Sequence, residues 1–113
     1  VGTGNKVEDF GVGFYTKYGD GGVDISPIAD LMKSEVRSIS ETLEIDKRII
    51  DADPTDGLWD DKRTDENQLG LSYDQLEDAM NNSSSDYRKT YDAIRKANFH
   101  KMKPIPVCKL PKC

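Results

Sequence analysis

The sequence predicts an α/β domain in which helices dominate and most of the sheet is wanting. Three observations carry this expectation. Apolar residues recur at three- and four-residue steps in separate segments, the period of a helix that buries one face. Strand signals are confined to Val23-Asp24-Ile25 and the first residue, Val1, as the last residue of a buried strand. Hydrophobic residues make up 35% and charged residues 33% of the 113-residue chain, which leaves a thin core for one small domain.

The elements follow in order. Val1 to Asp24 is a glycine-rich loop without the apolar run a core needs. The first helix is expected from about Pro27 to Glu44, with Ser26 as N-cap and Pro27 at the first helical position. Ile28, Leu31, Met32, Val36, Ile39 and Leu43 give it one apolar stripe. A short turn follows over Asp46 to Ile50, and residues 54–70 form a long acidic connection of the length that is usually functional or mobile. The second helix opens at Ser72, where Gln75 completes a capping box, and ends near Met80. The third starts after the Ser83-Ser84-Ser85 joint and turns Tyr87, Tyr91, Ile94 and Ala97 inward. No internal repeat is visible.

The net charge of -5 argues against a nucleic-acid partner, because phosphate neutralisation needs a surplus of Lys and Arg. The charge is unevenly spread. Seven carboxylates lie between Asp51 and Gln68, whereas Arg88, Lys89, Arg95, Lys96, Lys101, Lys103, Lys109 and Lys112 make the C-terminal arm basic. That asymmetry suits intersubunit pairing, an anionic small ligand, or simply two solvated faces. No apolar stretch approaches the roughly 20 residues that span a bilayer. No signal or transit pattern precedes Val1, so the expectation is a soluble cytoplasmic protein, whole or a piece of a longer one. Cys108 and Cys113 lack the partners a zinc site needs and read as free thiols.

Motif by motif, the residues leave alternatives open. Gly11-x-Gly13 is followed by Thr16 where a dinucleotide fingerprint has its third glycine. Even so, the loop offers backbone N–H groups with Thr3, Asn5, Lys6 and Lys17, a set that can cradle phosphates or merely line turns. Asp51 to Gly57 resembles the start of a calcium loop but fails: the glycine falls one place late and Lys62 stands where the bidentate Glu belongs. Glu8 beside a phosphate-friendly loop is the kind of single carboxylate that shares Mg²⁺ with substrate phosphates; a solvated glutamate is the alternative. His100-Lys101 reads as a helix-terminal cation pair or as an anion contact.

Longer stretches are more specific. GTGNKVEDFGVGFYTKYGDGGVDISPIADLMKSEV, DPTDGLWDD, TDENQLGLSYDQLE and FHKMKPIPV resemble, in order and at the family's spacing, the C-terminal half of ammonia-dependent NAD+ synthetase, and cover nearly the whole chain. The resemblance implies a parallel-sheet, Rossmann-like adenine-nucleotide α-hydrolase domain of the N-type ATP pyrophosphatase family. Residues 1–113 would then be its mostly helical C-terminal portion. It implies a ligase that uses ATP and Mg²⁺ to adenylate the nicotinate carboxylate of deamido-NAD+, after which ammonia displaces AMP to give NAD+.

By the same resemblance Thr3, Lys33 and Thr55 contact ATP, with Lys33 on its phosphates, and Glu8 is a Mg²⁺ ligand. Lys17, Asp24 and the pair His100-Lys101 contact deamido-NAD+, the pair across a homodimer. Asp20 helps bind ammonium or takes its proton, which makes Asp20 and Lys33 the residues nearest the chemistry. Phe14 and Tyr15 are candidates for stacking on a substrate ring, or for the core. The family's SGGxDS-type pyrophosphate loop is not in the 113 residues. The expectation is therefore no synthetase activity if these residues are the whole polypeptide. The alternative is a non-catalytic nucleotide-binding or dimerisation module.

Overall fold

The computed structural model describes residues 1–112; Cys113 lies outside the described residues. The architecture is helix on helix around a small core. An N-terminal π-helical segment, Val7–Val12, is followed by α1 (Lys33–Thr42), α2 (Lys47–Ile50), α3 (Asp65–Leu69), α4 (Tyr73–Asn81) and α5 (Arg88–Asn98). A 3₁₀ turn, Phe99–Met102, continues α5. Residues 103–112 have no regular structure, and Cys108 is an exposed free thiol. No described helix is long and apolar enough to cross a membrane.

The wide 7–12 segment is held at both ends by side chains. Asn5, buried at 2% exposure, accepts from the Val7 and Glu8 amides at 3.0 and 3.2 Å. The Glu8 carboxylate in turn accepts from Asn5 N at 3.2 Å, so the two residues cap each other. At the other end Gly13 turns left-handed (φ 67°, ψ 40°) and donates to Glu8 O. A Cβ there would stand 2.7 Å from Asn98 Cβ, so the position needs glycine for both conformation and space. Its unpaired carbonyls are taken by the C-terminal helix: Arg95 donates to Phe10 O and to Gly11 O (2.8 Å), Asn98 to Val12 O (3.0 Å) and Lys101 to Gly13 O (2.9 Å).

The core joins this segment to α4 and α5. Val7, Val12, Leu71, Tyr73, Leu76, Ala79 and Tyr91 are buried together, with Phe14, Met32, Leu69, Met80 and Ile94 packed around them. The second helix opens as expected: Ser72 Oγ accepts from Gln75 N and the Gln75 side chain from Ser72 N. On α5 the expected inward set is halved. Tyr91 is buried and Ile94 partly so, but Tyr87 and Ala97 are exposed.

Three expectations are corrected. Neither strand forms among the described residues, so no parallel sheet is present in them: Gly2 N donates to Ile25 O at 2.7 Å, but one bond without a ladder makes no strand. The first helix begins at Lys33 rather than Pro27, because Leu31 O, which a longer helix would use internally, accepts instead from Lys6 N at 2.8 Å. Met32 is its N-cap, with its amide donating to the Glu35 carboxylate at 2.7 Å. Its apolar stripe is only partly covered: Ile28, Leu31, Met32 and Val36 are half-buried, Ile39 and Leu43 are exposed, and α1 contains no buried residue. Finally, the acidic connection contains α3, capped reciprocally by Thr64 and Asn67 at 3.1 Å each way. An Asn at the third helical position performs the capping that Glu or Gln usually does.

Candidate active site

The loop from Phe14 to Ser26 and the start of the chain enclose three adjoining clefts. The largest two are about 430 and 490 Å³, and a small one of about 90 Å³ lies between the chain start and Glu8. Tyr15 and Asp20 line all three, which makes them the hub. Lys17, Asp24, Asp9 and Lys101 join them in the first, Asp56, Leu58 and Lys101 in the second, Thr3, Glu8 and Asp9 in the third.

The cations are anchored by backbone. Lys17 Nζ donates to His100 O at 3.0 Å and Lys103 O at 2.7 Å, satisfying carbonyls at the end of the C-terminal helical run. Lys101 crosses the other way to Gly13 O and stands 5.7 Å from the centre of the Tyr15 ring. The two lysines thus lace the basic arm to the glycine loop. Asp20 accepts from Thr16 N at 2.7 Å, closing the Thr16–Asp20 turn and holding its carboxylate at the hub.

A second cluster forms where α1 meets α4. Lys33 Nζ lies 3.6 Å from Glu8 Oε1 and 4.8 Å from the centre of the Tyr73 ring. Tyr73 Oη donates to the same Glu8 oxygen at 2.5 Å and lies 3.4 Å from Asp65 Oδ2. The Ser34 hydroxyl and amide donate to Glu77 at 2.6 and 2.9 Å, pinning α1 to α4 so that Lys33 reaches Glu8. Burial pushes the Tyr73 hydroxyl well above the ordinary phenol range, reinforced by its bond to Glu8, so it stays a donor.

Two carboxyls are raised. Desolvation lifts Asp9, with Glu8 and Asp20 adding repulsion, and desolvation lifts Asp65, with Glu8 and Asp56 adding theirs. Gly4 makes room for Asp9, since a Cβ there would fall 2.1 Å from Asp9 Oδ1. Asp65 Oδ1 is buried without a hydrogen-bond partner. A carboxyl raised in the fold holds its proton more tightly folded than unfolded. Stability therefore falls as pH rises from the ordinary carboxylate range through the raised value. Asp65→Asn is expected to stabilise the chain at pH 7. The gain should vanish below the ordinary carboxylate range, which urea denaturation at a series of pH values checks.

Of the residues singled out from sequence, Thr3, Glu8, Lys17, Asp20, Asp24 and Lys101 line adjoining clefts, and Lys33 meets Glu8. Two stand apart. Thr55 is exposed and its hydroxyl accepts from Gly57 N at 3.0 Å; Asp56 and Leu58 line the second cleft but Thr55 does not. His100 is exposed and contributes its backbone carbonyl to Lys17. Asn5, grouped above with the phosphate cradle, is instead a buried cap, a role that the Asn5-x-x-Glu8 spacing signals. Lys6 pairs with Asp30 at 3.0 Å on the surface. Sequence reasoning missed Asp9, Asp65 and Tyr73. Nothing local marks Tyr73, whose partner is 65 positions away.

No group of three or more His, Cys, Asp or Glu converges on a metal position among the described residues. A Mg²⁺ ion here would be held by Glu8 as a single carboxylate.

The family model for NAD synthase matches residues 1–112. The chain belongs to the NAD synthase family. It is 38% identical over 116 residues to the NH(3)-dependent NAD(+) synthetase of Archaeoglobus fulgidus, covering 97% of this chain and 46% of that protein. It is 48% identical over 80 residues to the enzyme of the same description from Methanococcoides burtonii, covering 71% and 30%. A solved structure described as NMN synthetase from Francisella tularensis matches with TM-score 0.85 at 32% identity, over 96% of this chain and 46% of that one. The chain thus spans less than half the length of these relatives.

Proposed function

We propose that this chain supplies one wall of an ammonia-dependent NAD+ synthetase, the C-terminal portion of a Rossmann-like domain whose parallel sheet comes from further polypeptide. The observation that carries the reading is the meeting of Lys33 and Glu8, 3.6 Å apart, where Glu8 lines the cleft it shares with Thr3 and Asp20. A cation and a metal-suited carboxylate at the edge of a glycine-rich loop are the groups that ATP phosphates require.

In this reading Thr3, Lys33 and Thr55 hold ATP and Glu8 shares its Mg²⁺. When bound, Mg²⁺ offsets the charge that develops on the transferring phosphates. Lys33 directs its ammonium at those phosphates while the nicotinate carboxylate of deamido-NAD+ attacks the α-phosphorus and pyrophosphate leaves. Lys17, Asp24, His100 and Lys101 orient deamido-NAD+, Lys101 from the clefts it lines in its own chain and His100 across a homodimer of a cytoplasmic enzyme. Asp20 binds ammonium and accepts its proton; the freed ammonia attacks the acyl carbon, the new nitrogen gives its surplus proton to water, and AMP departs with the electron pair of the broken C–O bond. Tyr15, shared by all three clefts, offers an aromatic face to the substrate.

The test mixes this chain with the complementary N-terminal segment of the Archaeoglobus fulgidus relative, then adds ATP, Mg²⁺, ammonia and deamido-NAD+. NAD+ formation that requires all four is the expected result. Nucleotide binding without turnover in a well-folded complex would sink the enzyme reading and leave a binding module. A second acceptor is favoured by the likeness to the protein described as NMN synthetase: nicotinate mononucleotide, amidated by the same steps. Comparing kcat/KM for the two acceptors in one assay decides between them.

A further inference from the structure

Tyr73 touches both members of the Lys33–Glu8 pair. It is the first residue of α4, 1% exposed and held by a capped helix start. Its hydroxyl donates to Glu8 Oε1 at 2.5 Å, and its ring centre lies 4.8 Å from Lys33 Nζ. The lysine approaches the same oxygen only to 3.6 Å, well beyond the roughly 2.7–2.9 Å of a closed ammonium–carboxylate bond. Glu8 Oε2 is meanwhile turned to Asn5 N at 3.2 Å. The hydroxyl occupies the place on Oε1 that the ammonium would otherwise take, and the ring gives that ammonium an alternative attraction.

We propose that Tyr73 is the positioning residue of the Mg·ATP site, holding the Lys33–Glu8 pair open so that the ammonium remains free for phosphate and the remaining lone pairs of Glu8 for a cation. This rests on the site reading above. Without the hydroxyl, Lys33 closes on Glu8 and each neutralises the other. Partners that orient a metal-binding side chain commonly change metal affinity 10- to 100-fold when removed.

The test measures Mn²⁺-dependent ATP binding by titration calorimetry and by Mn²⁺ paramagnetic resonance, using the complex of this chain with the relative's N-terminal segment. Tyr73→Phe, which keeps the ring, is expected to weaken Mn²⁺-dependent ATP binding at least about tenfold. In a Glu8→Gln background the same change should add no further loss, because the pair no longer exists. Additive losses in the double variant would mean a general structural effect and overturn the proposal. Equal binding by wild type and Tyr73→Phe overturns this inference alone, whereas wild type that binds no Mg·ATP removes the site reading and this inference together. Should Tyr73→Phe not fold, 3-fluorotyrosine at position 73 provides a second readout. Its fluorine resonance must shift on adding Mg·ATP to the wild-type background and stay put with Glu8→Gln; a resonance that behaves alike in both overturns the proposal.

Discussion

Lys33→Met lowers kcat/KM for Mg·ATP in the complemented complex by about 10²- to 10³-fold, the range seen when one preorganised electrostatic donor is removed. Methionine keeps an unbranched stem of similar length, so the packing against Tyr73 is largely retained and the charge alone is lost. Glu8 keeps its bonds from Tyr73 Oη and Asn5 N, so it is not left bare. The melting temperature should therefore move little, because the pair is 3.6 Å apart and partly solvated at 24% and 16% side-chain exposure. Steady-state kinetics at saturating deamido-NAD+, beside a thermal melt, separates the two effects. A change below threefold in kcat/KM would mean that Lys33 does not face the phosphates.

The largest stability effect belongs to α4. Leu76 is 0% exposed in a core of seven buried residues, and Leu76→Ala is expected to cost about 2–5 kcal/mol. Against a typical domain stability of about 5–15 kcal/mol, that loss populates unfolded chain. The comparison is Ile39→Ala on α1. Ile39 belongs to the stripe with the more regular helical spacing but is 43% exposed, so the change is expected to stay within about 0.5 kcal/mol. Urea unfolding of both variants checks the contrast; equal losses would place the core on α1 as well.

That contrast shows where local pattern stops being informative. The apolar period of residues 28–43 is helical only from Lys33, and period alone does not say what covers each residue: Ile28, Leu31, Met32 and Val36 are half-buried, whereas Ile39 and Leu43 are exposed. The Ser72–Gln75 capping box was legible because both partners lie within one turn. The Thr64–Asn67 box was equally local and escaped only because its third residue departs from the usual Glu or Gln. The expected strands had no such local closure; a strand is defined by its neighbour, and the described residues supply none.

The site divides along the same line. By itself the sequence determined the family, the glycine loop with Thr3, Glu8, Lys17, Asp20 and Asp24 in one run, and the capped start of α4 at Ser72. Each of these rests on residue type and short spacing. Tertiary structure alone decided that Glu8 meets Lys33 and Tyr73 and that Lys17 and Lys101 cross between the loop and the C-terminal arm. Those contacts join positions up to 88 residues apart, and their geometry comes from how α4 and α5 pack on the 7–12 segment. A hydrogen bond between distant side chains leaves no periodic trace in a sequence, so only the packed fold can reveal it.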